Sequence, residues 1–181
     1  MADIKLRDLK EDDLEMVRNW RNSKEVSQYM YTEDHISSKQ QKAWFERISK
    51  DSSAKYWIIE YEDRPLGLVS ITEISRVFDS CFWAFYLGDS SVRGGGIGSK
   101  IEYNILKCVF EELGLNKLRC EVLVTNPSVI AMHEKFGFRR EAYYRDHVLK
   151  GDQHFDVVGL AMLKREWLQL KDFHYNRIYN R

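Results

Sequence analysis

Four glycines within five residues, Gly94-Gly95-Gly96-Ile97-Gly98, constrain this 181-residue chain more than any other local feature. Glycine gives up more backbone freedom on folding than any other residue, so such a run persists where bare backbone is needed. The loop Arg93 to Ser99 follows an apolar run, Cys81 to Leu87, that ends at Gly88. It precedes an amphipathic stretch, Ser99 to Leu113, with Ile101, Ile105, Val109 and Leu113 on one stripe and Gly114 as its stop. That order predicts strand, glycine loop and helix. Backbone N–H groups at the start of such a helix, with no Cβ to hold a ligand away, suit an anion. A phosphate-bearing ligand is the expectation.

Two common phosphate loops do not fit. A dinucleotide fingerprint, G-x-G-x-x-G, requires glycine where Ile101 stands, and it would come much earlier in a chain. A P-loop ends in Gly-Lys-Ser/Thr, whereas here the order is Gly98-Ser99-Lys100.

The remaining chain reads as one domain over 1–170 with a tail, 171–181. Ile4 to Leu9 predicts a strand, and Leu14, Val17 and Trp20 a helix behind Asp12 and Asp13. A second helix starts at Ser37 or Ser38, with Gln41 three residues past Ser38 as a capping box. Lys55 to Tyr61 and Leu66 to Thr72 form a hairpin across Glu62-Asp63-Arg64-Pro65. Leu118 to Thr125 is a strand, and Asn126-Pro127 opens a helix closed by Gly137. Glu141 to Lys150 and Phe155 to Leu163 are the last strands. This order predicts an α/β (α+β) chain, a mixed sheet with helices on both faces.

Arg93, Gly96 and Gly98 match Arg/Gln-x-x-Gly-x-Gly/Ala, and Asn126-Pro-Ser-Val-Ile-Ala-Met-His133-Glu-Lys-Phe-Gly137-Phe138 follows about thirty residues later. Together they resemble the two hallmarks of the GNAT acyltransferase superfamily. The resemblance implies the GNAT fold, with a mostly antiparallel sheet, and acetyl-CoA as cofactor. It assigns Leu87, Gly88, Arg93, Gly94, Gly95, Gly96, Ile97, Gly98, Ser99, Asn126 and Ser128 to the cofactor. It also implies that the strand carrying Trp83 to Leu87 presents backbone N–H groups to the thioester oxygen, with a bulge there splaying the sheet.

Trp20-Arg21-Asn22, Tyr29-Met30-Tyr31, Ile36-Ser37, Trp44-Phe45, Gly151 with Asp156, and Glu166-Trp167 extend the likeness. In this order they are similar to the acetyltransferases of the pseudaminic-acid pathway, which acetylate the 4-amino group of a UDP-linked amino-deoxy sugar. Ribosomal-protein Nα-acetyltransferases share part of the pattern. Acetylation of a peptide N-terminus or a polyamine therefore stays open, as does a non-catalytic CoA-binding module. For a sugar acceptor the expected contacts are Met30, Tyr31, Trp44 and Trp83 for stacking, Gln41 for hydrogen bonding, and Arg21 for the diphosphate.

The chain departs from the family where a Tyr is expected to protonate the leaving thiolate, for His133 stands there. An imidazolium can do the same work if it is charged beforehand. Glu73 and Glu121 are the candidate general bases.

Composition limits the alternatives. Lys and Arg number 28 against 28 Asp and Glu, and this +0 balance argues against a dedicated nucleic-acid binder. Residues 1–90 carry 13 basic and 17 acidic side chains and residues 91–181 carry 15 and 11, so the acidic part would meet the amine. Cys81, Cys108 and Cys120 read as free buried thiols, and no metal spacing exists. The start lacks a leader-like apolar core, and no apolar run is long enough to span a membrane. A cytoplasmic location with small-molecule partners is expected, and the aromatic tail offers dimer contacts.

Overall fold

Apolar runs that alternate in the sequence become strands whose two faces bury different residues. In the computed structural model, which describes residues 3–89 and 96–180, the strands are β1 (Ile4–Asp8), β2 (Lys55–Tyr61), β3 (Arg64–Ser75), β4 (Ser80–Leu87), β5 (Lys117–Leu123), β6 (Arg139–Lys150) and β7 (Gln153–Leu163). The helices are α1 (Leu14–Asn22), α2 (Lys24–Ser27), α3 (Ser38–Ile48), α4 (Ile97–Lys107), α5 (Pro127–Phe136) and α6 (Lys164–Tyr179). One sheet joins the strands in the order β1-β2-β3-β4-β5-β7-β6. Every neighbouring pair is antiparallel except β4 with β5. The expected mixed, mostly antiparallel sheet is present.

Period-2 alternation places Ile58 and Leu68 on one face, where Val17 of α1 and Trp44 of α3 pack on them. Their neighbours Ile59 and Val69 turn to the other face and join Ile101, Ile105 and Phe110, together with Phe136 and Trp167. Layers therefore cover both faces. The connection from β2 to β3 is shorter than expected. Only Glu62 and Asp63 turn, both at positive φ (51° and 58°), because Arg64 and Pro65 already pair with Tyr61 and Glu60. The α3 capping box is Ser37 with Gln40, one residue earlier than expected. This register turns Gln41 inward, where it is buried. The expected helix to Leu113 widens into a π turn over Cys108–Glu112 before Gly114 at φ 71°.

The tail needs correction. A boundary at 170 falls inside α6, whose Trp167, Tyr175 and Tyr179 rings lie 5.2, 6.0 and 5.8 Å from the Tyr103 ring of α4. The Tyr179 hydroxyl donates to Asp3 at 2.9 Å and accepts from Asn104 at 3.1 Å. Tyr175 and Tyr179 thus pack within the chain. No helix of the described residues is long and apolar enough to cross a membrane.

Candidate active site

The parallel ladder between β4 and β5 is short. It pairs only Ser80 with Lys117, Cys81 with Leu118 and Phe82 with Arg119. Beyond it, β4 stays bonded to β3 as far as Leu87, and β5 stays bonded to β7 as far as Leu123. The facing edges of the two strands therefore separate with no ladder between them, and a cavity of about 730 Å³ opens in the gap. The irregularity expected on β4 lies instead on β3, where two residues, Glu73 (φ 52°) and Ile74, stand opposite the single Cys81 of β4.

Gly96, Ile97, Gly98 and Ser99 at the start of α4 line this cavity, as do Leu87, Asn126 and Ser128. Gly96 sits in the left-handed region at φ 76° and caps α4 without a side chain. The first helical bond among the described residues runs from Lys100 N–H to Gly96 O, so the preceding N–H groups of the first turn have no helical partner among those residues. A Cβ on Gly98 would stand 3.0 Å from Met132 Sδ, so glycine also lets α4 approach α5. Asn126 Oδ1 accepts from the Ser128 hydroxyl at 3.1 Å. Arg93, Gly94 and Gly95 lie outside the described residues. Gly88 belongs elsewhere: its N–H donates to Leu66 O at 2.8 Å, and its α-carbon abuts the Trp20 indole.

His133 lines the cavity and is buried, with Nδ1 2.8 Å from Glu102 Oε1 on α4. Burial alone would pull the imidazole pKa down. The Glu102 carboxylate, joined by the Cys120 thiol, overturns this and holds it well above the ordinary value. Burial lifts the Glu102 carboxyl, against the attraction of His133 and Arg177. The Trp83 and Phe138 rings, each 5.2 Å from the His133 ring, wall off the pair. Trp83 is therefore a core residue under the cavity, not a free face for an acceptor.

The two candidate bases part company. Glu121 lines the cavity and accepts a 2.6 Å hydrogen bond from the Tyr31 hydroxyl, whose pKa is raised by burial and by that bond. Glu73 is exposed, ion-paired with Arg119 at 2.6 Å, and absent from the cavity wall. That geometry removes it from the candidate base pair.

The expected acceptor contacts divide between two cavities. Met30 and Tyr31 line the first. Gln41 and Trp44 line a second, of about 610 Å³, between α1, α3 and the sheet. Arg21 and Tyr86 line both and so stand at their junction. The Arg21 side chain donates to Thr32 at 3.3 Å, and no carboxylate pairs with it among the described residues. Burial lowers its pKa, the mark of a desolvated cation. Glu102, Tyr86 and Arg47 were not singled out from the sequence, and Cys120 is read there only as a buried thiol. One signal existed: Glu102 interrupts the apolar row that Leu106 and Val109 continue on α4.

Residues 3–139 match the family of acetyltransferase (GNAT) domains. The acetyltransferase PseH of Campylobacter jejuni subsp. jejuni serotype O:23/36 (strain 81-176) is 25% identical over 138 residues, 75% of this chain and 84% of that one. The spermidine N(1)-acetyltransferase of Escherichia coli (strain K12) is 22% identical over 165 residues, 91% of this chain and 88% of its own. The crystal structure of Vibrio cholerae spermidine N-acetyltransferase with CoA and spermine shares the fold. It gives a TM-score of 0.85 at 22% identity, over 91% of this chain and 98% of that one. The family match takes in the splayed strands, the glycine loop and the helix bearing His133, so the chain belongs to the GNAT acetyltransferases and uses acetyl-CoA as its acyl donor.

Proposed function

We propose that this chain acetylates the 4-amino group of a UDP-linked 4-amino-4,6-dideoxy sugar by direct transfer within a ternary complex. The observation that carries the reading is the second cavity. Arg21 and Arg47 line it with Trp44 and Tyr86, and no Asp or Glu is among its described lining residues. Such a space attracts a diphosphate and offers rings for a uracil, while it repels a polycation. The amine at the far end of the acceptor would then reach the first cavity past Arg21. The resemblance to PseH supports the same acceptor. Synthesis of nucleotide sugars accords with a cytoplasmic location.

In this reading the neutral amine attacks the thioester carbon while backbone N–H groups on the free edge of β4 take up charge on its oxygen. The C–S bond breaks with its electron pair on sulfur. His133 gives its proton to that thiolate, and Glu121, held by Tyr31, accepts the proton that the new amide nitrogen sheds. Water returns the two side chains to their starting states.

A polyamine acceptor is the second reading, favoured by Glu25 and Glu121 on the first cavity wall and by the spermidine-acetylating relatives. Thiol release from acetyl-CoA tests both. Release with a UDP-4-amino sugar, at a kcat/KM at least tenfold above spermidine, spermine and N-terminal peptides, is expected. Preference for spermidine, or no release with any acceptor, overturns the proposal.

A further inference from the structure

The family's usual phenol carries its proton at neutral pH without assistance, whereas an ordinary imidazole does not. A histidine in that position therefore needs a device that keeps it charged. The structure supplies one in the middle of its core. Glu102 is wholly buried on α4, thirty-one residues before His133, and spends one carboxylate oxygen on Nδ1 at 2.8 Å. Its second oxygen, Oε2, is buried without a hydrogen-bond partner among the described residues. A lone buried carboxylate is costly, and it is retained here only with a cationic partner at hand.

We infer that Glu102 is a positioning residue for acetyl transfer: it clamps Nδ1 of His133 and holds the ring as an imidazolium in the wall of the cavity. This rests on the reading that His133 is the proton donor. The groups facing His133 are consistent from every side. Glu102 approaches from α4, the Cys120 thiol from β5, and the Trp83 and Phe138 rings from β4 and the turn after α5. From α6, Arg177 adds positive potential at Glu102, which together with His133 opposes the upward pull of burial on that carboxyl. Proton bookkeeping is closed within the turnover. The imidazolium N–H moves to the CoA sulfur, and the neutral ring regains a proton from water before the next cycle. Glu102 forms and breaks no bond in this step.

The pH dependence has a definite sign. An imidazole whose pKa is raised is fully charged at neutral pH and loses its proton only as pH climbs toward about 10. In wild type, kcat should then hold through pH 8.5 and fall above it. Glu102→Gln keeps the shape and removes the charge, so the alkaline fall should move down by at least about two and a half pH units, toward the ordinary imidazole range. At pH 8.5 kcat should drop more than tenfold, with KM for acetyl-CoA within threefold of wild type. His133→Tyr restores a donor that needs no counter-charge, and in that background Glu102→Gln should change kcat less than threefold. An unmoved alkaline limb in Glu102→Gln overturns the inference. So does an equal loss in the His133→Tyr background, which would mark Glu102 as merely structural. His133→Phe separates the two readings: a rate near wild type removes His133 as the donor, whereas a loss above tenfold alongside a pH-silent Glu102→Gln removes only the role of Glu102. If Glu102→Gln does not fold, ¹⁵N spectra of the wild-type His133 ring decide the matter. Both ring nitrogens protonated at pH 8 is the expected result, and a neutral ring refutes it.

Discussion

In the proposed reading Arg21 meets the charge of the acceptor, and Arg21→Met measures that charge. A guanidinium about 4 Å from a phosphate gains roughly 4 kcal/mol at an effective dielectric near 20. Desolvating the phosphate and the open mouth of the cavity take back part of it. The value left is about 2 kcal/mol, in the range of a hydrogen bond to a charged group. At about 1.4 kcal/mol per decade this is roughly 30-fold in affinity. The structure also says what the variant should spare. The Arg21 side chain makes a single 3.3 Å bond to Thr32 and has no carboxylate partner among the described residues, so its loss removes little from the fold. Melting temperature should move by less than about 2 °C. Steady-state thiol release should show KM for the UDP-amino sugar rising about 30-fold, kcat within threefold, and KM for acetyl-CoA unchanged. For spermidine the same variant should improve KM, since a repelling charge has gone. A sugar KM within threefold of wild type refutes the reasoning. A worsened spermidine KM does so as well.

Two further variants probe the frame of the site. In Gly88→Ala the new Cβ would stand 2.1 Å from Trp20 Cγ, so α1 must move off the end of β4; overpacking of about 1–3 kcal/mol predicts a melting point lower by about 2 to 12 °C, and an unchanged calorimetric trace would count against the packing described. Lys150 is held by Gln28 O at 2.8 Å and Glu33 at 2.6 Å, tying the β6–β7 hairpin to the segment that carries Met30 and Tyr31. Lys150→Met should speed amide exchange across residues 28–34 and raise KM for the acceptor alone, and equal effects on both substrates would contradict this role.

What was legible in the chain was what neighbours in sequence decide among themselves. The alternation of β2 and β3, the stripe of α4 and the stop at Gly114 depend on local period and turn chemistry, and each stands within a few residues of its expected place. The misplacements have local reasons too. Ser37 outcompetes Ser38 as cap because Gln40 closes the box back onto it, and α6 shows no clean apolar stripe because Trp167 and His174 are its only buried residues. Trp83 and Glu73 were misread for another cause: a residue type shows chemistry but not which side of a strand or bulge it occupies.

By itself the sequence determined the donor half of this enzyme. Glycine freedom and the N–H groups of a helix start are properties of consecutive residues, so the glycine-capped helix start at Gly96 to Ser99, the expected seat of the cofactor phosphates, is written locally. The surroundings of the proposed acceptor and proton donor come only from tertiary structure. Tyr31 meets Glu121 across ninety residues, Glu102 meets His133 across thirty-one, and both meetings depend on β4 and β5 parting after three paired residues. Average charge misled for the same reason. The acidic part of the chain gathers Arg21 and Arg47 around a cavity whose described lining holds no carboxylate, because charge acts at distances of a few ångströms and only the fold sets those distances.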